Sequence, residues 1–183
     1  MSWSYQDNSE LLPMDKLVKE FTLEKVQNTN PVFDQKKLNY FNGKAIRAKS
    51  DQELLTLLKP HLQYSTNDKL LLQIIPLIKA RITTLEDANS LIGFFFAPPP
   101  APQGLKYLEG IEKVLLQVNW DKANIESALI KLVDDNKYHK GDFFMSLRLA
   151  VCGQPVTPPL TESMLILGRD EVISRIHHAQ QNS

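Results

Sequence analysis

Apolar residues in this chain recur every third and fourth position along most of its length, and they hardly ever alternate. That spacing lines one face of a helix with 3.6 residues per turn, whereas a half-buried strand needs period two. A chain of this kind can bury its apolar stripes only by packing helix on helix. The pattern therefore predicts an all-α fold in two or three small packed units.

The helices can be placed from their ends. Residues 14–26 put Met14, Leu17, Val18 and Phe21 on one face, with Leu23 and Val26 just beyond. A second helix follows with Asp34 as its N-cap and Gly43, after Asn42, as a stop. Ser50 with Glu53 three residues on matches a capping box, and Pro60 ends that helix. Residues 65–81 are strongly apolar at Leu70, Leu71, Ile74, Ile75 and Ile78, and Pro76 is expected to kink or divide them. A short helix over 84–96 leads to "APPPAPQG", residues 97–104, a stiff linker-like segment.

Beyond the linker, Leu105, Leu108, Ile111, Leu115 and Leu116 fall in register, and Asp121 starts a helix that buries Ile125, Ala128, Leu129 and Leu132. The next helix starts near Asp142 and ends at Gly153. Two more follow Pro155, Pro158 and Pro159. In the last, Asp170 and Glu171 lie in the first turn and Arg175, His177 and His178 in the last, each placement favouring the helix dipole. No internal repeat is visible.

Composition narrows the function classes. Lys+Arg and Asp+Glu balance at 21 each, so no global basic field advertises nucleic acid, although a local basic surface stays open. One cysteine, Cys152, excludes an internal disulfide framework and suits a reducing compartment. The first residues lack the basic and apolar regions of a signal peptide, and "LIGFFFAPPPAP" is too short and proline-broken to span a bilayer. A cytoplasmic location without a membrane partner is expected.

No residue set supports self-contained catalysis. Cys152, His61, His139, His177 and His178 show no metal-ligand spacing, so no metal site is expected. Ser146 follows His139 by seven residues and Asp142 by four, but it lacks an exposing turn and sits among Phe143, Phe144 and Leu147. "FNGKAIR" has a Gly-Lys pair without the glycine frame of a phosphate loop. Asp134 and Asp135 read as an ordinary polar helix end.

Two arginines stand out. Arg81 ends the apolar helix "LLLQIIPLIKAR", where a cation offsets the helix dipole. Arg148 lies inside "FFMSLRLAVCG", where the ordinary role is an ion-paired or snorkelling residue between helices. A second role for both is the recognition of unstacked bases. A guanidinium stacks on a base plane and presents a fork of donors to its edge. "TPPL" (Thr157, Pro158, Pro159, Leu160) would add a hydroxyl, carbonyls and an apolar wall on a backbone that proline holds in place.

The segment "PVFDQKKLNYFNGKAIR" (31–47) resembles the VFD-x-x-KL-x-W-x-NG-x-YIR stretch of bacterial glutamyl-tRNA synthetases. "FFMSLRLAVCGQPVTPPLTESMLILGRDEVISRI" resembles their C-terminal PLR-x-AL-TG … P-x-L … LLG-x-E-x-x-x-R stretch, and residues 2–26 look like the lead-in that follows their catalytic domain. Ser146 stands where the family has proline, "AVCG" replaces "ALTG", and Tyr40, Phe41 and Ala45 replace Trp, Met or Leu, and Tyr.

The resemblance implies helical bundles of the glutamyl-tRNA synthetase anticodon-binding type. It implies a stem-contact remnant over 1–50, a first anticodon-binding subdomain over 51–108 and a second over 109–183. Arg81, Arg148, Thr157, Pro158 and Leu160 match the family's anticodon-contact positions, and Lys44 and Arg47 are candidates for the tRNA backbone. Arginine at the position of Arg81 is associated in the family with reading the third anticodon base. The HIGH-type and KMSKS-type ATP motifs lie outside the matched part, so the chain is expected to be an expressed fragment or a free-standing truncated homologue. The parent would be an ATP- and Mg-dependent glutamate–tRNA ligase. The chain itself is expected to hold no cofactor, catalyse nothing, and bind tRNA(Glu) as a monomer without a DNA partner. The competing class is an α-helical protein-interaction module.

Overall fold

A computed structural model describes residue 3 and residues 11–26, 32–64, 67–100 and 103–181. The 2–26 lead-in, the start of the 31–47 motif and the 97–104 linker each extend partly outside these residues.

Ten α-helices and no strand occur among the described residues. Helix α1 (Met14–Glu20) and a 3-10 turn precede α2 (Gln35–Ala48). Helices α3 (Asp51–Leu58), α4 (Asp68–Ile78) and α5 (Asp87–Ile92) follow, α5 continuing into a 3-10 turn through Phe95. Beyond the proline segment come α6 (Leu108–Gln117), α7 (Lys122–Asn136), α8 (Lys140–Cys152), α9 (Leu160–Leu167) and α10 (Arg169–Gln181).

Local hydrogen bonds set many of the ends. Asp34 caps α2 by accepting from the Lys37 amide at 3.0 Å. Ser50 and Glu53 close the capping box reciprocally, at 3.2 and 2.8 Å. The Ser50 amide and hydroxyl, with Lys49 nearby, hold the Glu53 carboxyl down to about 2. Asp121 caps α7 through the Asn124 amide at 3.0 Å. His139, three residues before Asp142, caps α8, which ends at Gly153 in the left-handed region. Each such bond satisfies a donor that the first turn leaves open.

Neither Gly43 nor Pro76 ends its helix. Helix α2 runs through Gly43 to Ala48. Gly43 is buried against Thr83, whose methyl would lie 3.5 Å from an added Cβ, and Asn42 Nδ2 donates to the Thr83 carbonyl at 2.5 Å. The glycine is packed mid-helix and is not a stop. Helix α4 runs through Pro76, which faces solvent while Ile74, Ile75 and Ile78 are fully buried opposite. The inner face's burial carries the helix past the missing amide. On α6 Leu116 points outward, 52% exposed, and on α7 Val133 joins Ile125 and Leu129 in the core while Ala128 and Leu132 flank it.

Helix α3 packs on α4, and α4 on α5; beyond the linker, α10 packs on α6, α8 and α9, and α7 on α6 and α9. Helix α4 also lies against α9, so the buried cluster runs from Ile46 to Ala179. The proline segment is part of this packing: Pro99 lies against Gly153. Helix α1 contributes no buried residue.

Candidate nucleic-acid interface

The arginine in the core is Arg175, not Arg148. Arg175 is 6% exposed, whereas Arg148 is half-buried. Arg175 lies within α10, short of its last turn. Its Nε pairs with Glu171 at 2.7 Å, and its Nη1 donates to the Val151 carbonyl at 2.8 Å. Val151 is in the last turn of α8, whose carbonyls lack intrahelical donors. Arg175 therefore complements the dipole of a neighbouring helix instead of its own. Arg169, at the start of α10, does the same for α6: it donates to the Val118 carbonyl at that helix's C-cap and lies over the Trp120 ring, 5.5 Å from its centroid.

With the carbonyl ends of α6 and α8 satisfied in this way, Arg148 is left to the loop after α8. Its Nη1 donates to the Thr157 hydroxyl, which in turn donates to the Pro158 carbonyl at 2.8 Å. Thr157 is 2% exposed, and Pro158 and Leu160 are buried. The structure thus joins Arg148, Thr157 and the Pro158 carbonyl by hydrogen bonds, with Thr157 buried, while Leu160 is buried at the start of α9. The exposed surface of the loop is Pro155 and Val156. Burial pushes the Cys152 thiol up to about 12, against the opposing pull of Arg148, Arg175 and a hydrogen bond from Thr157.

The second cluster surrounds the turn after α4. Arg81 is exposed, and its amide donates to the Ile78 carbonyl at 2.7 Å. The next residue, Ile82, is fully buried and anchors the turn. Asp87 then clamps it: one carboxylate oxygen accepts from the Thr83 amide and hydroxyl and the Thr84 amide, the other from the Thr84 hydroxyl, at 2.7–2.9 Å. Burial opposes the charged form of Asp87, but these donors outweigh it and hold the carboxyl down to about 2. Arg47 belongs to the same neighbourhood, because its Nη1 and the Thr83 methyl both lie beside Gly43. Lys44 is three residues earlier on α2 and shares its surface.

No carboxylate pairs with Lys44, Arg47, Arg81 or Arg148 among the described residues, so their donors face outward or bond neutral oxygens. No contact joins Arg81 to Arg148 among the described residues. No group of three or more His, Cys, Asp or Glu side chains there has metal-holding geometry, and no helix is long and apolar enough to cross a membrane. Ser146 is buried on α8.

The family model described as "Anticodon binding domain" matches residues 53–180. The chain belongs to the anticodon-binding domain family. It is 32% identical over 182 residues to glutamate–tRNA ligase 1 of Fervidobacterium nodosum, covering 96% of this chain and 39% of the relative. It is also 32% identical to the glutamate–tRNA ligase of Borrelia recurrentis, covering 98% of this chain and 40% of that protein. A crystal structure of a glutamate tRNA ligase from Elizabethkingia meningosepticum, in complex with its amino acid, superposes with a TM-score of 0.82 at 26% identity, over 98% of this chain and 39% of that one. The chain therefore spans about 40% of the length of these relatives.

Sequence reasoning missed the parts of this anticodon-binding domain that position its arginines. Asp87 carried a signal, because Thr84 three residues before an Asp is a capping spacing; here it clamps the turn after Arg81. Arg175 carried none, since its partner Val151 is 24 residues away.

Proposed function

We propose that this domain binds the anticodon arm of tRNA(Glu) as part of a glutamate–tRNA ligase, with 1–50 as stem-contact remnant and 51–108 and 109–183 as anticodon-binding subdomains. The single observation that carries the reading is Arg148, a half-buried guanidinium held by a neutral hydroxyl, with no carboxylate to quench it. Such a group stays available to a base edge or phosphate. Arg81 reads the third anticodon base, Lys44 and Arg47 meet the backbone, Thr157 holds the Arg148 guanidinium, and Pro158 and Leu160 anchor from within the loop on which the base lies. The domain is monomeric and cytoplasmic, and it binds neither DNA nor membrane. Attachment of glutamate, with ATP and Mg, belongs to the rest of such a ligase.

Titration of labelled anticodon hairpins tests this. Affinity is expected to fall as salt rises, because phosphate contacts release counterions. Arg148→Ala is expected to weaken cognate binding by about 1–3 kcal/mol. Unchanged affinity in that variant overturns the assignment.

The exposed apolar residues near the N-terminal end, Met14, Val18, Leu23, Val32 and Phe33, favour a second reading, a helical protein-interaction module. It predicts a protein partner in a pull-down and no salt-dependent hairpin binding.

A further inference from the structure

Helix α5 is the shortest α-helix among the described residues, yet several separate parts of the chain are tied to it. Through Asp87 it clamps the turn that carries Arg81. Through Asn89 it holds the 61–63 segment, Nδ2 donating to the His61 carbonyl at 2.8 Å and Oδ1 accepting from the Gln63 amide at 3.0 Å. Its Ser90 carbonyl accepts from Gln154 Nε2 at 2.9 Å. Gln154 lies in the loop whose Thr157 holds Arg148. Ala88 and Ile92, fully buried, and Leu91 root the helix in the core.

The turn that carries Arg81 and the loop that holds the Arg148 guanidinium through Thr157 are thus fastened to one short helix, at positions three residues apart. Three residues of helix rise about 4.5 Å. The Gln154 bond is the one polar bond between the loop after α8 and α5 among the described residues, and it belongs to a side chain that the core does not otherwise need. Such a bond contributes little to folding, but enough to set where a loop rests.

We propose that Gln154 is a positioning residue that sets where the loop after α8, which holds the Arg148 guanidinium through Thr157, rests relative to the Arg81 turn, so that the two arginines read their bases as a pair. Gln154 touches no base itself. It lowers the ordering cost of binding by holding the loop at its bound distance from α5. The inference rests on the assignment of Arg81 and Arg148 to anticodon bases.

The test uses the whole 183-residue chain and RNA hairpins carrying the glutamate anticodon or single-base variants of it. The readout is discrimination, the ratio of cognate to variant affinity, which a merely structural change of stability leaves alone. Gln154→Ala and Gln154→Glu, neither of which donates, are expected to reduce discrimination about three- to tenfold at the bases assigned to both arginines. Their melting temperature and salt slope should match the parent. The penalty of Arg81→Ala combined with Arg148→Ala should differ from the sum of the single penalties in the parent, and equal that sum when Gln154 is Ala. If the arginine variants lose affinity while both Gln154 variants keep full discrimination, the positioning role is wrong. If the arginine variants bind as the parent does, the base assignment fails and takes this inference with it.

Discussion

Gly153 and Pro99 occupy each other's space: a Cβ added at Gly153 would come within 2.2 Å of the Pro99 Cβ. Gly153 also has φ of 70° as the C-cap of α8, a conformation that costs an L side chain about 1–2 kcal/mol. The segment read from sequence as a linker therefore docks on the end of α8, and the stop signal of that helix is also the docking site.

Gly153→Ala is expected to destabilise by about 2–4 kcal/mol, adding backbone strain to the clash. Urea denaturation measures it. Adding Pro99→Gly, which removes that Cβ, should recover the clash component alone. A loss below about 0.5 kcal/mol would show that Pro99 does not pack there.

Arg175→Met is expected to cost about 2–3 kcal/mol, because it strips the Val151 carbonyl of its donor in a buried site. Glu171→Gln should cost less than about 1 kcal/mol, since that side chain is 42% exposed. Equal losses in thermal melts would mean that the ion pair, not the bond to α8, is what stabilises.

Asp87 adds an acid-side dependence. Its folded carboxyl is held below the ordinary value of 3.8, at about 2. A lowered folded pKa means the contribution is present above pH 3.8 and is lost as pH falls towards 2. The difference between the parent and Asp87→Asn, followed by denaturation from pH 6 to 2, should shrink over that window. A constant difference would sink the clamp.

Cys152 is buried, and its thiol is pushed up to about 12. In the folded domain it should react with a thiol reagent far more slowly than in denaturant, where the ordinary value near 8.5 returns. Rapid labelling at neutral pH without denaturant would contradict the packing of α8 on α10.

The helices and many of their ends were legible in sequence because caps act over three or four residues. Asp34, Ser50, Asp121 and Gly153 each announce a boundary through a neighbour in sequence. Gly43 misled as a stop for the complementary reason. Whether a glycine ends a helix depends on what packs around it, here including Thr83, 40 residues away, and whether a proline divides one depends on how the opposite face is buried. The candidate site was legible as residue types in Arg81 and Arg148, and Asp87 carried a local signal in Thr84, but Gln154 and Arg175 act on backbone carbonyls that any sequence supplies.

Sequence alone determined an all-α chain with its stripes and its main caps, since these depend on local periodicity and short-range hydrogen bonds. Tertiary structure alone decided which arginine is buried. Arg175 and Arg148 are equally costly to desolvate, and the difference lies in their surroundings. One meets the open carbonyl end of α8 and a carboxylate, while the other meets a single hydroxyl and keeps part of its surface in water. Burial goes to the charge whose donors are satisfied.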